Sequence, residues 1–173
     1  MTPTQALRLR PLRDDDEAAY RTAYQVMAAE GFGFGFDPEP GVAWGALLRR
    51  QEDRRRGVHL SEGQVPATFL VADVAGTIVG RAHLRHRLND FLEREGGHIG
   101  YCVLPDHRRR GYATEILRQS LTVIRAIGVD RVLVTCDDDN AGSIAVIESC
   151  GGLLDSVSGA GPSGPPKRRY WIE

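Results

Sequence analysis

The stretch that decides the fold runs from residue 100 to residue 116 and reads GYCVLPDHRRRGYATEI. Its first part continues a strand-like run, His98–Leu104, and its last part opens a segment, Thr114–Ile127, with apolar residues at helical spacing. Arg108–Arg110 and Gly111 stand between the two. The first N–H groups of a helix lack acceptors and carry the positive end of the helix dipole, so this junction predicts a pyrophosphate site. A helix start that is merely basic is the alternative.

The rest of the chain alternates strands and helices in an order that predicts one domain over residues 1–173. Asp14 and Glu17 have the spacing of a capping box at the start of the first helix. Ala75-Gly76-Thr77 predicts a hairpin turn, and Ser158–Pro166 predicts a loop. The predicted strands are Leu7–Leu12, Thr68–Val74, Ile78–Leu84, His98–Leu104, Arg131–Cys136, Leu153–Val157 and Arg168–Ile172, and the predicted helices are residues 14–30, Val42–Arg56, Thr114–Ile127 and Ala141–Cys150.

Two sequence motifs carry a family resemblance. The first is R-x-x-G-x-A from Arg108 to Ala113, after the strand GYCVLP. The second follows the strand that ends in VTC and consists of Asn140, Ser143, Glu148 and Gly151, in the pattern N-x-x-S…E…G. In this order the motifs resemble the acetyl-CoA-binding segments of the GNAT superfamily of N-acetyltransferases. The details are most similar to a bacterial group of predicted GNAT acetyltransferases.

The resemblance implies an α/β (α+β) fold with a mixed, mostly antiparallel central sheet of about six or seven strands and about four flanking helices. It implies acetyl-CoA as co-substrate and no metal. Free backbone groups of the strand, here of Cys102 and Leu104, would bind the pantetheine arm, and the amides from Arg109 to Thr114 would wrap the pyrophosphate. The residues expected at the cofactor are Cys102, Val103, Leu104, Arg108, Arg109, Arg110, Gly111, Tyr112, Ala113, Thr114, Asn140 and Ser143. Asn140 equally suits a helix N-cap.

The implied reaction moves an acetyl group to an amine, which must first lose a proton because alkylammonium pKa values lie near 10.4. His98 is the first candidate for the base, since histidine has an ordinary pKa near 6.5 and the resemblance places a catalytic glutamate here in some branches. Glu95, Asp137 and Glu148 are carboxylate alternatives. The catalytic base therefore stays open among these four.

This chain departs from the family pattern at the position of the acid that assists the leaving thiolate. Many GNAT enzymes carry a tyrosine one residue before the glutamate of the second motif, and this chain has Ile147 there. Tyr170 and Cys136 are the substitutes to consider. Because the tyrosine is missing, a non-catalytic acetyl-CoA-binding sensor or regulatory domain is the alternative function.

Two polar or aromatic segments suggest an acceptor site. Gly31–Phe36 reads GFGFGF, and its three rings would either plug the edge of the core or wall a substrate pocket. Arg85, Asn89 and Asp90 would form a polar rim for the acceptor or lie in a solvated loop. The acceptor is expected to be a small-molecule or peptide amine.

Composition narrows the partners and the location. A net charge of −1 and the lack of an aromatic RNA-binding signature argue against a nucleic-acid module. The chain has 42% hydrophobic residues, but no run approaches the roughly 18 that would span a membrane. Three cysteines without a C-x-x-C spacing predict neither a zinc site nor disulfides. A cytoplasmic protein with reduced thiols is expected, and the resemblance adds a homodimer paired through a sheet edge.

Overall fold

The computed structural model describes residues 6–36, 41–159 and 164–173. Within them the chain forms seven strands and four α-helices in the order expected from the sequence. The strands are β1 (Arg8–Arg10), β2 (Ala67–Val74), β3 (Thr77–Arg85), β4 (Ile99–Val103), β5 (Val132–Asp137), β6 (Leu153–Val157) and β7 (Lys167–Ile172). The helices are α1 (Glu17–Ala29), α2 (Trp44–Arg56), α3 (Tyr112–Ala126) and α4 (Ala141–Ser149).

The strands form two antiparallel sheets. One has the order β1-β2-β3-β4 and the other the order β5-β7-β6. The predicted hairpin joins β2 to β3, and Ala75 and Gly76 in its turn have φ angles of 56° and 84°. The α/β class and the strand number are confirmed, while the division of the sheet was not foreseen from the sequence.

The two sheets meet immediately before β4. The His98 N–H donates to the Leu133 carbonyl over 2.7 Å, and no other backbone hydrogen bond links the sheets within the residues that are described. Gly97 makes this approach feasible: its φ is 62°, and a Cβ there would lie 2.7 Å from the Leu133 oxygen. A larger residue at position 97 would therefore push the two sheets apart.

Helix α3 begins at the predicted anion junction and packs on the first sheet against β1, β3 and β4, within a buried core that also includes residues of β5 and β7. Its buried stripe follows the helical period and includes Ile116, Leu117, Leu121 and Ile124. Ser120 lies in the same stripe, and its hydroxyl donates to the Ile116 carbonyl over 2.7 Å, which satisfies the polar group inside the core. This packing fixes the start of α3 relative to β4.

Helices α1 and α2 cover the opposite face of the first sheet through an aromatic cluster. Phe34 is fully buried, and its ring lies 5.6 Å from Tyr20. Phe36 stacks on Tyr20 at 4.9 Å, and the Tyr20 hydroxyl donates to the Phe36 carbonyl over 2.8 Å. Phe32 remains 43% exposed. The GFGFGF segment therefore plugs the core edge through Phe34 and leaves Phe32 free to line a cavity.

The start of α1 corrects one expectation. A 3₁₀ turn precedes the helix, and the Arg13 N–H donates to Asp16 Oδ2 over 2.8 Å, one residue earlier than the Asp14–Glu17 box that the sequence suggested. Asp16 is preferred because the Arg10 guanidinium holds its carboxylate through bonds of 2.6 and 2.9 Å. The π-helical segment Leu92–Gly96 before β4 was not foreseen from the sequence either.

Candidate functional site

A cleft of about 860 Å³ opens where β4 leaves the neighbouring sheet. Tyr101–Val103 form its floor, the starts of α3 and α4 form one side, and Glu30 and Phe32 after α1 form the other. The volume lies within the range of small-molecule and cofactor sites. The described contact between the sheets at His98 lies before the cleft, so the cleft occupies the gap between diverging strands.

The backbone at the start of α3 presents a row of unpaired donors to this cleft. Arg109 and Gly111 have φ angles of 62° and 79° on either side of Arg110, an alternation typical of anion-binding nests. Within the described residues no acceptor pairs with the N–H groups from Arg109 to Thr114, and the first helical bond is donated by Glu115. These donors and the helix dipole create a positive potential suited to a pyrophosphate.

The three arginines before α3 have different roles. The Arg108 guanidinium donates to the Val103 carbonyl over 3.1 Å and lies 2.5 Å from a Glu30 carboxylate oxygen. Arg110 donates to the Asp106 carbonyl and does not line the cleft. Arg109 lines the cleft, and its side chain has no hydrogen-bond partner in the described parts of the chain. Arg109 is therefore the guanidinium available to a phosphate.

The pairing of β4 with β3 corrects the expected backbone contacts. Val103 is opposite Gly80, and the Leu104 N–H donates to the Val79 carbonyl over 2.9 Å. Hydrogen-bonding groups alternate between the two sides of a strand, so the backbone groups of Cys102 also face β3. The backbone groups that face the cleft belong to Tyr101 and Val103, not to Cys102 and Leu104.

At the start of α4, Asn140 is the helix cap that its type suggested. Its Oδ1 accepts from the Ser143 N–H over 3.0 Å, and both residues line the cleft. Of the residues expected at the cofactor, Leu104 and Arg110 lie outside the lining, and the other ten belong to it. The expected roles of those ten in cofactor binding remain predictions.

The family described as "Acetyltransferase (GNAT) domain" matches residues 6–152.

The chain belongs to the GNAT acetyltransferase family.

Known proteins similar to this GNAT chain agree with that assignment. An acetyltransferase from Yersinia pestis (strain Pestoides F) is 28% identical over 102 residues, which cover 59% of this chain and 69% of that protein. A putative acetyltransferase from Salmonella typhimurium, yncA, solved with acetyl-CoA, has a TM-score of 0.66 at 18% identity and covers 97% of this chain and 94% of its own. RimJ from Mycobacterium smegmatis, solved with a CoA-disulfide, has a TM-score of 0.71 at 19% identity, with coverage of 98% and 83%. The predicted family, fold and enzyme class are confirmed.

The geometry around His98 argues against the role of base. His98 is 7% exposed, and its Nδ1 accepts the Leu133 N–H over 2.9 Å. Burial, and then the charge of Arg85, lower the pKa of His98 to about 4. An imidazole whose acceptor nitrogen is occupied and whose pKa is this low is a poor proton acceptor at neutral pH. His98 does not line the cleft, and it joins the two sheets instead.

The other catalytic candidates also lie outside the cleft lining. Asp137 at the end of β5 forms an ion pair with Lys167. Tyr170 is fully buried, and its hydroxyl donates to Glu148 over 3.1 Å. Burial raises the pKa of the Cys136 thiol to about 11. The structure therefore brings none of the three predicted catalytic residues, His98, Asp137 and Tyr170, to the cleft.

Tyr101 is the cleft residue that the sequence analysis missed. Its hydroxyl is buried and has no partner at ordinary hydrogen-bond geometry within the described residues, and only the Ser143 side chain interacts weakly with it. Burial raises the pKa of Tyr101 to about 12, and the adjacent Ser143 opposes this shift. The phenol therefore keeps its proton at neutral pH. Strand alternation in the run GYCV indicates that Tyr101 and Cys102 face opposite ways, but only the pairing of β4 with β3 decides which of them faces the cleft.

Two further observations concern metal ions and membranes. Within the described residues no group of three or more His, Cys, Asp or Glu side chains is arranged to hold a metal ion. Likewise, in that part of the chain no helix has the length and apolar character needed to cross a bilayer.

Proposed function

We propose that this protein transfers the acetyl group of acetyl-CoA to an amine, with the co-substrate bound in the cleft between β4 and α4. The observation that carries the proposal is the row of unpaired N–H groups from Arg109 to Thr114, which opens onto a cleft of about 860 Å³. The acetyl-CoA and CoA bound to the fold neighbours support it. The pyrophosphate would lie on the α3 amides beside Arg109.

The pantetheine arm would follow the free edge of β4. The backbone groups of Tyr101 and Val103 face the cleft, and the Val103 carbonyl already accepts from Arg108. A polar chain lying along this edge would satisfy strand groups that otherwise depend on water. Asn140 and Ser143 at the start of α4 would contact the arm from the other side.

The Tyr101 phenol would assist the departure of the thiol. A thiolate with a pKa near 8.5 is less basic than a phenolate with a pKa of about 12. Tyr101 therefore stabilises the leaving sulfur by donating a hydrogen bond rather than by giving up its proton. Within the described residues this hydroxyl interacts only weakly with the Ser143 side chain, so it could donate to the sulfur instead.

The test combines binding with turnover. Calorimetry with acetyl-CoA should show binding by the wild type, and a thiol-release assay with a broad amine panel should show turnover. Gly111→Ala and Gly111→Asp both strain the backbone at a φ of 79°, but only the aspartate adds a negative charge facing the pyrophosphate. Affinity should fall much further for the aspartate variant. Equal affinity of both folded variants would place the pyrophosphate elsewhere.

A further inference from the structure

A second cavity of about 140 Å³ lies on the other face of β3, beneath α2. Arg81 and His83 of β3 and Arg54 and Gln51 of α2 line it, together with the aromatic segment that follows α1. No acidic side chain belongs to this lining within the described residues. A cavity lined by two arginines and a histidine has the chemistry of an anion site.

The arginines here lack the counter-charges that buried cations normally have. Arg81 is 8% exposed, and its guanidinium donates to the carbonyls of Phe34 and Gly33 over 2.7 and 2.9 Å. The Nε of Arg54 is buried without a hydrogen-bond partner. Neither arginine forms an ion pair with a carboxylate of the described residues. A buried cation without a counter-charge is costly, so the buried Arg81 and the partly buried Arg54 point to a ligand that supplies the negative charge.

A third arginine increases the positive potential. Arg85 donates to the carbonyls of Gly96 and Gly97 over 2.8 and 3.1 Å. Burial, followed by the charges of Arg81 and Arg54, lowers the pKa of Arg85 to about 10, so the guanidinium remains charged at neutral pH. The same causes, burial and then neighbouring arginines, lower the pKa of His83 well below its ordinary value. The cluster formed by Arg54, Arg81, Arg85 and His83 therefore holds three cations and a neutral imidazole.

The cluster borders the cleft between β4 and α4, which is called the donor cleft below. Arg81 is paired with Cys102 across the sheet, and Cys102 lines the cleft. The Arg81 guanidinium lies 5.4 Å from the centre of the Phe32 ring, which also lines the cleft. A Cβ placed on Gly100 of β4 would lie 3.4 Å from Arg81 and 3.6 Å from Arg85. The guanidinium groups thus lie over β4 just before it enters the cleft.

We propose that this cavity, named here the arginine pocket, binds an oxyanion of the acceptor, so that the acceptor is a small amine that also carries a carboxylate or a phosphate. This inference rests on the proposed acetyl transfer. A volume of about 140 Å³ is close to that of a cavity that holds one benzene ring, so it accommodates the anionic group and a few carbon atoms. The forked donors of arginine match either oxyanion.

The first experiment measures anion binding without turnover. The melting temperature of the full chain is recorded in acetate and in inorganic phosphate, each against chloride at equal ionic strength, with coenzyme A saturating the donor cleft. Arg54→Gln removes a charge from the arginine pocket, and Arg56→Gln removes one from the exposed end of the same helix. We expect at least one of the two anions to raise the melting temperature of the wild type and of Arg56→Gln. The same anion should raise the melting temperature of Arg54→Gln only slightly. Equal shifts in all three proteins, or none, would overturn the proposal.

The second experiment compares matched acceptors. Glycine is paired with glycinamide, and phosphoethanolamine with ethanolamine, so the two pairs separate carboxylate from phosphate recognition. In at least one pair we expect kcat/KM for the anionic amine to exceed that for the neutral amine by about tenfold or more. This ratio should fall toward one in Arg54→Gln and should stay high in the wild type and in Arg56→Gln. Equal rates within both pairs would refute the arginine pocket and leave acetyl transfer intact. Anion stabilisation with no acetylated amine would instead refute acetyl transfer and leave the pocket intact.

Discussion

His98 and Leu133 exchange two hydrogen bonds across the junction of the two sheets. The Leu133 N–H donates to Nδ1 of His98 over 2.9 Å, and the His98 N–H donates to the Leu133 carbonyl over 2.7 Å. One residue thus uses its backbone and its ring to hold the strands at the point from which the cleft opens. The imidazole that the sequence suggested as a base has a structural role in this arrangement.

Substitution of His98 should therefore affect stability more than catalysis. His98→Ala leaves the buried Leu133 N–H without an acceptor and should cost about 1–3 kcal/mol in the free energy of unfolding, measured by urea denaturation. His98→Asn offers an amide oxygen in its place and should recover part of the loss. The kcat of the folded variants should stay near that of the wild type. A loss of kcat by about 100-fold, with an altered acid limb of the pH–rate profile, would restore His98 as the base.

Stability should also depend on pH through His98. Because its folded pKa of about 4 lies below the ordinary 6.5, the unfolded chain takes up a proton first as the pH falls. Its contribution is present above about pH 6.5 and is lost between there and about pH 4, by on the order of 3 kcal/mol. His83 and His86, whose pKa values are also lowered, act in the same direction. The free energy of unfolding of His98→Asn should fall less steeply over this interval than that of the wild type.

The arginines before α3 should differ in how much they contribute to acetyl-CoA affinity. Arg109 lines the cleft without a protein partner, so Arg109→Gln should weaken binding by about 1.5–3 kcal/mol, the value of a hydrogen bond to a charged group. Arg110 lies outside the lining, and Arg110→Gln is the matched control with the same change in charge. Calorimetry at two salt concentrations measures both. Equal losses in the two variants would mean that only the general positive potential matters.

Tyr101→Phe should separate catalysis from stability. The hydroxyl is buried and interacts only weakly with the Ser143 side chain, so its removal should leave the free energy of unfolding unchanged or raise it. If the phenol stabilises the leaving thiolate, kcat should fall by about 10²-fold, as expected for the loss of one positioned hydrogen-bond donor to a developing negative charge. Acetyl-CoA affinity should change little. If the variant kept full kcat, Tyr101 would not assist the departure of the thiol, and backbone groups and solvent would stabilise the thiolate instead.

Much of the fold could be predicted because local patterns determine it. The stripe of α3, the turn at Ala75-Gly76 and the basic junction around Gly111 depend on residues close together in the sequence, and the structure has each of them. The division into two sheets could not be predicted in this way. It depends on β4 and β5 not pairing beyond the contact of His98 with Leu133, which lie 35 positions apart.

The candidate site was predicted in part for the same reason. Ten expected cofactor residues line the cleft because two local motifs carry them. The choice between Cys102 and Tyr101 depends on which side of β4 pairs with β3, and sequence spacing does not determine that register. Of the lining of the arginine pocket, the sequence suggested only the aromatic segment that follows α1 as a pocket wall, because α2 and β3 contribute Arg54 and Arg81 from distant parts of the chain.

The gap between β4 and β5 has a consequence for the energetics of the protein. The edge of β4 at Tyr101 and Val103 lacks a neighbouring strand, and of its backbone groups the Val103 carbonyl accepts from the Arg108 side chain. A ligand that forms hydrogen bonds along this edge would replace those of a neighbouring strand and would stabilise the folded state while it is bound. Because such a ligand binds the native state and not the unfolded chain, the folded protein would be most resistant to heat and proteolysis when its donor substrate is abundant.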